Sequence, residues 1–286
     1  VTAVSFRADG DLEAGLSNGS KGAEGTAMLE IVHDIAPDAN LRFANFATDL
    51  EFMAAVDYLA AISDIVIDDI AWFGLAYDQS SSISVNTATE LNRASNPIRG
   101  YYTSVGNHAR RHYQGPYADS GIAGAPTVGF SGNLHLFQPT ADTTACLDGT
   151  SSVANFMVLF GGQTAAVFLS WDDTFGAAAN DYDLFVYDPL AGSVVASSIS
   201  SNPGVTPDPF EMVAFTNTTG ANRTYYIYVQ NSANLASPKT IELFVFGGVS
   251  CTNGTTMNFN TLGSSVPAQG DAGGGVVSGR SDQRFR

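Results

Sequence analysis

The chain is 286 residues long, 44% hydrophobic, and carries a formal net charge of −16, with 12 Lys and Arg against 28 Asp and Glu. That length holds one large domain or two modest ones with ample core, and no apolar run reaches membrane-spanning length. So acidic a surface repels phosphate backbones, which argues against nucleic-acid binding. Low Lys with abundant Ser, Thr, Asn and Gly suits a secreted or salt-exposed protein, and an opening at Val1 without a leader suits a processed or excised form.

Val1–Phe6 reads as a short strand, and residues 8–23 as loop, with Asp9-Gly10-Asp11 and Asn18-Gly19-Ser20 as turn chemistry. Met28, Leu29, Ile31, Val32 and Ile35 recur at helical spacing. Pro37 ends that helix, because its ring cannot continue the backbone ladder. The strand Leu41–Phe46 follows. Asp49 caps a second helix, Leu50–Ile62, and an apolar strand from Asp64 to Phe73 is interrupted by Asp68 and Asp69. A third helix spans about Ile83–Arg93, and the strand Ile98–Val105 ends at Gly106-Asn107. This β-α-β rhythm predicts an open parallel sheet with flanking helices and right-handed crossovers. Ligands in such sheets bind beyond the carboxyl ends of the strands, where Asp68, Asp69 and Asn107 fall.

The rhythm changes after residue 138. From Phe156 only strands are predicted: Phe156–Phe160, Ala165–Trp171, Asp183–Tyr187, Ser193–Ser198, Met212–Asn217, Thr224–Gln230 and Thr240–Phe246. Gly, Asn, Pro and Ser turns separate them at the spacing of an antiparallel β-sandwich. The expected organisation is an α/β domain over 1–138, an inserted sandwich over 139–252, and a return segment or tail over 253–286. Cys146 and Cys251 bracket the insert; they form a structural disulfide at its neck or remain two buried thiols.

The residues of the first domain resemble the subtilisin-like serine peptidases. The likeness rests on Glu24-Gly25-Thr26-Ala27-Met28, the Ile35-Ala36-Pro37-Asp38-Ala39 turn, Val66-Ile67-Asp68-Asp69 and Ser104-Val105-Gly106-Asn107. Glu-Gly in place of His-Gly is similar to the sedolisin-type branch. The resemblance implies Glu24 as general base and Asn107 as oxyanion donor, with Asp68 among the site residues and a subtilisin-like sheet. The family's nucleophile lies in a Gly-Thr-Ser helix, and the Gly-Thr-Ser here, ending at Ser151, runs into a strand pattern instead. The resemblance therefore implies a portion of an extracellular serine endopeptidase, truncated at both ends and inactive alone, acting on peptides only if completed. The alternative is a non-catalytic pseudo-peptidase or a surface or self-assembly protein that uses the sandwich for binding. Sheet edges left by missing strands would invite another copy or chain.

The insert resembles the jelly-roll accessory domains of secreted bacterial peptidases through Leu169–Asp173, Asn180–Asp188 and Tyr225–Val229. Asp172, Asp173, Asp181 and Asp183 concentrate hard oxygen ligands, and Asp181 and Asp183 share one face of a strand. Such like charges call for a cation such as calcium or for solvation. Asp68 and Asp69 alternate faces: they share a proton, cap the next helix, or play a plain structural part. His33 reads as a satisfied core histidine. His108 and His112 flank Arg110-Arg111 in a basic-aromatic loop that is either partner-facing or simply solvated. Asn18, Asn217, Asn222 and Asn253 begin N-x-Ser/Thr triplets.

Overall fold

The computed structural model describes residues 1–13, 22–124, 131–140, 143–145, 150–200, 208–248, 257–263, 265, 268–273 and 276–278. Cys146, Cys251, Asn18 and Asn253 lie outside them. In chain order the elements begin with β1 (Thr2–Ser5), α1 (Glu24–Ile35), β2 (Arg42–Asn45), α2 (Asp49–Ile62), β3 (Ile65–Asp68), α3 (Ser82–Asn92) and β4 (Gly100–Thr103). There follow β5 (His112–Pro116), β6 (Asp119–Ala123), β7 (Asn133–His135), β8 (Thr143–Ala145), β9 (Asn155–Leu159), β10 (Thr164–Trp171) and β11 (Tyr182–Asp188). The series closes with β12 (Ser193–Ser198), β13 (Phe210–Thr216), β14 (Arg223–Asn231), β15 (Thr240–Phe246), β16 (Phe259–Thr261) and β17 (Val276–Ser278).

The chain divides into two units: 1–72, 77–106 and 267–282 form the first, and 73–76, 107–266 and 283–286 the second. In the first unit, α2 starts with a capping box. Thr48 accepts from the Glu51 amide, and Glu51 accepts from the Thr48 amide, so two orphan donors of the first turn are satisfied together. The cap is thus Thr48, and Asp49 is the first helical residue. Phe52, Ala55, Val56 and Ala60 form the buried stripe of this helix. Phe52 meets Phe46 at 4.9 Å and Trp72 at 5.5 Å between ring centres. The third helix is capped by Ser81, not by either aspartate.

The expected subtilisin-like parallel sheet with flanking helices does not form. β1 and β2 pair in parallel only with each other, and β3, β4 and β17 make a separate three-stranded parallel sheet in the order β17-β4-β3. Most of the other strands are antiparallel, so the protein is mainly β. The physical reason is that an alternation of helix and strand does not decide which strands share hydrogen bonds. Here four-residue strands close two small sheets, and α1 buries none of its residues. Ile31 and Ile35 on its apolar stripe are exposed, as is His33, which is therefore not a core residue.

The second unit is two antiparallel sheets sharing one core. One runs β13-β10-β15-β5; the other runs β12-β11-β14-β7-β6, with β9 also on β14. Val167 and Leu169 of β10, Leu243 and Val245 of β15, Leu184 and Val186 of β11, and Ile227 and Val229 of β14 fill the shared interior. Their strict alternation is what a strand with one core-facing side requires. β11 is buried on both faces along most of its length, whereas the Ser-rich β12 is a half-exposed edge. Apart from 73–76, the second unit runs from Asn107, earlier than the expected 139, because β5, β6 and β7 join its sheets. β16 pairs with β8. Asn217 is fully buried, its amide donating to the Leu159 and Ala221 carbonyls, which closes it to glycosylation.

Candidate functional site

The residues that the peptidase resemblance singles out are placed as follows. Glu24 is the first residue of α1 and is exposed; that helix has no side-chain cap. Asn107 is exposed and belongs to the second unit. Ser151 is exposed and outside any helix or strand, and the next residue, Ser152, bridges to Phe137 by two backbone hydrogen bonds of 2.8 Å. No helix starts there, so Ser151 has no helix N-terminus to activate it.

Asp68 is committed to structure. At the carboxyl end of β3, its Oδ2 accepts the Tyr101 hydroxyl at 2.6 Å and its Oδ1 accepts the Thr103 hydroxyl at 2.7 Å. The same oxygen takes the Ile70 amide at 3.1 Å. Burial, then the Asp68 charge, pushes the Tyr101 hydroxyl well above its ordinary value, so it stays a proton donor. Asp69 is exposed.

The basic-aromatic loop is largely interior. His112 is fully buried between the Glu242 carboxylate (2.9 Å) and the Thr261 carbonyl (3.0 Å). Arg111 lies over the Phe246 ring at 5.8 Å. His135, which the sequence did not flag, is also fully buried; burial holds its pKa down at about 3, so it is neutral. Its Nδ1 accepts the Ala118 amide, which leaves the proton on Nε2 for the Tyr113 oxygen at 2.8 Å.

The four aspartates of the second unit divide into two pairs. Asp172 Oδ1 accepts the Thr240 amide at 2.8 Å. Asp173 receives Lys239 Nζ at 2.7 Å, the Ala179 and Asn180 amides, and the Asn180 side chain. Burial alone would raise Asp173, but Lys239 and the Asn180 donors outweigh it and hold the carboxyl below its usual range. Both are therefore loop organisers. Asp183 stands on the outer face of β11, and Asp181 immediately precedes that strand. Burial first, then the neighbouring Asp181, pushes Asp183 up to about 6, against a hydrogen bond from Ser232. Glu211 of β13 is buried with the Ser198 hydroxyl on it, and burial pushes it up to about 7. Among the described residues no three of His, Cys, Asp and Glu gather at metal-holding distances.

Beside Asp181 lies a cleft of 130 Å³ lined also by Asn180, Ser232, Ala233 and Leu235. Its loop is held rigid. Asn231 brackets Ala236 with two hydrogen bonds, Asn180 accepts the Ser237 amide, and Asn234 accepts the Asn133 amide. Ala233 and Asn234 hold left-handed backbone angles (φ 51° and 58°), a conformation that costs non-glycine residues and persists only where surroundings impose it.

The same outer sheet face carries a row of aromatic rings across three strands. Tyr187 is directly opposite Tyr226, and Tyr226 directly opposite Phe156. Tyr228 lies 6.3 Å from Tyr226 at 86° and 6.2 Å from Tyr187 at 64°. Tyr187, Tyr226 and Phe156 are part-exposed, with Val153 and Val194 packed at the same cluster. No protein-family model and no curated protein matches this chain, and neither comparison indicates a subtilisin-like family.

Proposed function

We propose that this chain is a non-catalytic binding protein whose working part is the β-sandwich of the second unit. The observation that carries this is the row Tyr187–Tyr226–Phe156, part-exposed on an outer sheet face over the buried Tyr228. Contiguous apolar surface of this kind marks interaction sites, and tyrosines give large, rigid contact with a polar tip. The rings meet at 55° to 86°, so they offer no flat platform for a stacked sugar ring. A protein surface with apolar side chains to insert between the rings fits better, and the net charge of −16 favours a neutral or basic one. The exposed setting of Ser151, beside a β-bridge and not at a helix start, supports the non-catalytic half of the reading.

A photo-crosslinking phenylalanine analogue placed at Tyr226 tests the reading in a lysate of the producing cells. Crosslinks to one protein from Tyr226, absent when the analogue replaces the exposed Leu190, are expected. Equal capture from both positions would contradict it.

A further inference from the structure

We infer that Asp183 and Gln230, with Asp181 and the Ser232 hydroxyl, hold a hard divalent cation of the calcium class on the outer face of β11 and β14. Asp183 and Gln230 are direct cross-strand partners, so their side chains leave the sheet on the same face. Gln230 is fully buried, and its Nε2 donates to the Gly132 carbonyl at 2.8 Å. Gly132 precedes β7, on the far side of β14 from β11. The other end of the same amide, Oε1, is buried and has no hydrogen-bond partner among the described residues.

Asp183 has the Ser232 hydroxyl, but the buried carbonyl oxygen of its cross-strand partner Gln230 has no donor, and an unmet buried polar group costs stability. A cation between the two satisfies that oxygen. Asp181 is two residues before Asp183, immediately ahead of β11, and Ser232 is two residues beyond Gln230 on its strand's continuation, hydrogen-bonded to Asp183. The set is all oxygen, with two carboxylates, an amide and a hydroxyl, which suits calcium and its preference for six to eight oxygen ligands with water completing the shell. The cleft beside Asp181 and Ser232 gives solvent and ion access. The chain approaches closely here: a Cβ on Gly132 would sit 1.9 Å from the Asn231 carbonyl, so no larger residue fits beside the carbonyl that holds Gln230 Nε2.

The full chain, freed of metal by EDTA, should gain about 5 °C in Tm on addition of 10 mM calcium, as expected for a site with Kd of about 10⁻⁴ M. Asp183→Asn should melt no lower than the wild type without calcium, since it removes a buried like charge, and should lose the calcium rise. Asp181→Asn should weaken calcium binding at least tenfold by titration calorimetry. Absence of a calcium-dependent rise would overturn the proposal. A rise retained undiminished in Asp183→Asn, or reproduced by choline chloride at equal ionic strength, would overturn it as screening of the acidic surface.

Discussion

The Tyr101 hydroxyl reaches Asp68 at 2.6 Å while the Thr103 hydroxyl takes the other carboxylate oxygen. Tyr101 is 1% exposed, so this is an interior contact that ties β4 to the end of β3. Tyr101→Phe should destabilise the first unit by about 1–3 kcal/mol, the usual cost of removing a buried hydrogen bond to a charged group. Urea denaturation of the full chain followed by far-ultraviolet circular dichroism measures it. A change below about 0.5 kcal/mol would show that the Asp68 carboxylate finds other donors.

Glu211 predicts a pH dependence. Its folded pKa stands near 7, against 4.5 for an ordinary glutamate. Below about 4.5 it is protonated in both states and costs nothing. As pH rises from 4.5 toward 7 the unfolded chain ionises first, so folded stability falls across that window. Asp183 and Asp181 add to the rise in Glu211, and the Ser198 and Ser200 hydrogen bonds oppose it. Glu211→Gln should flatten this part of the Tm-against-pH profile. A profile identical to that of the wild type would contradict the burial of Glu211.

Lys239 and Asp173 pin the loop beneath the acidic cleft. The Asp173 side chain is 6% exposed and Lys239 26%, so solvent reaches one partner and moderates the effect. Lys239→Gln should cost about 1–2 kcal/mol, and because Lys239 and the Asn180 donors hold Asp173 below its usual range, the loss should be present at pH 7 and shrink only as acid protonates the folded carboxylate. Thermal melts at neutral and strongly acid pH make the comparison.

Leu169 lies fully buried between the two sheets. Leu169→Ala should cost about 2–5 kcal/mol by transfer and cavity terms together, read from a shift in the denaturant midpoint. A loss under about 1 kcal/mol would mean that the sheets collapse onto the cavity.

The strands after Phe156 were legible because their alternation is strict: Val167, Leu169 and Trp171 face the core, as do Tyr182, Leu184 and Val186. β5 was not, since His112-Tyr113-Gln114-Gly115-Pro116 reads as a loop, and only pairing with distant β15 makes it a strand. The parallel sheet was overextended because local rhythm cannot say that β2 bonds β1 and not β3. Asp181 and Asp183 could be placed close together from spacing alone. The separation of Asp172 and Asp173 from them could not, because it depends on Thr240 and Lys239 far along the chain. Gln230 gave only a weak sign, a lone amide continuing the outward series Tyr226, Tyr228.

The non-catalytic reading stands or falls with Ser151, and intact-mass measurement after exposure to a fluorophosphonate tests it most directly. The account predicts an unmodified mass for the full chain, the same as for Ser151→Ala, because Ser151 is exposed and no helix starts at it among the described residues. A stoichiometric adduct at Ser151, lost in the Ser151→Ala chain, would contradict it.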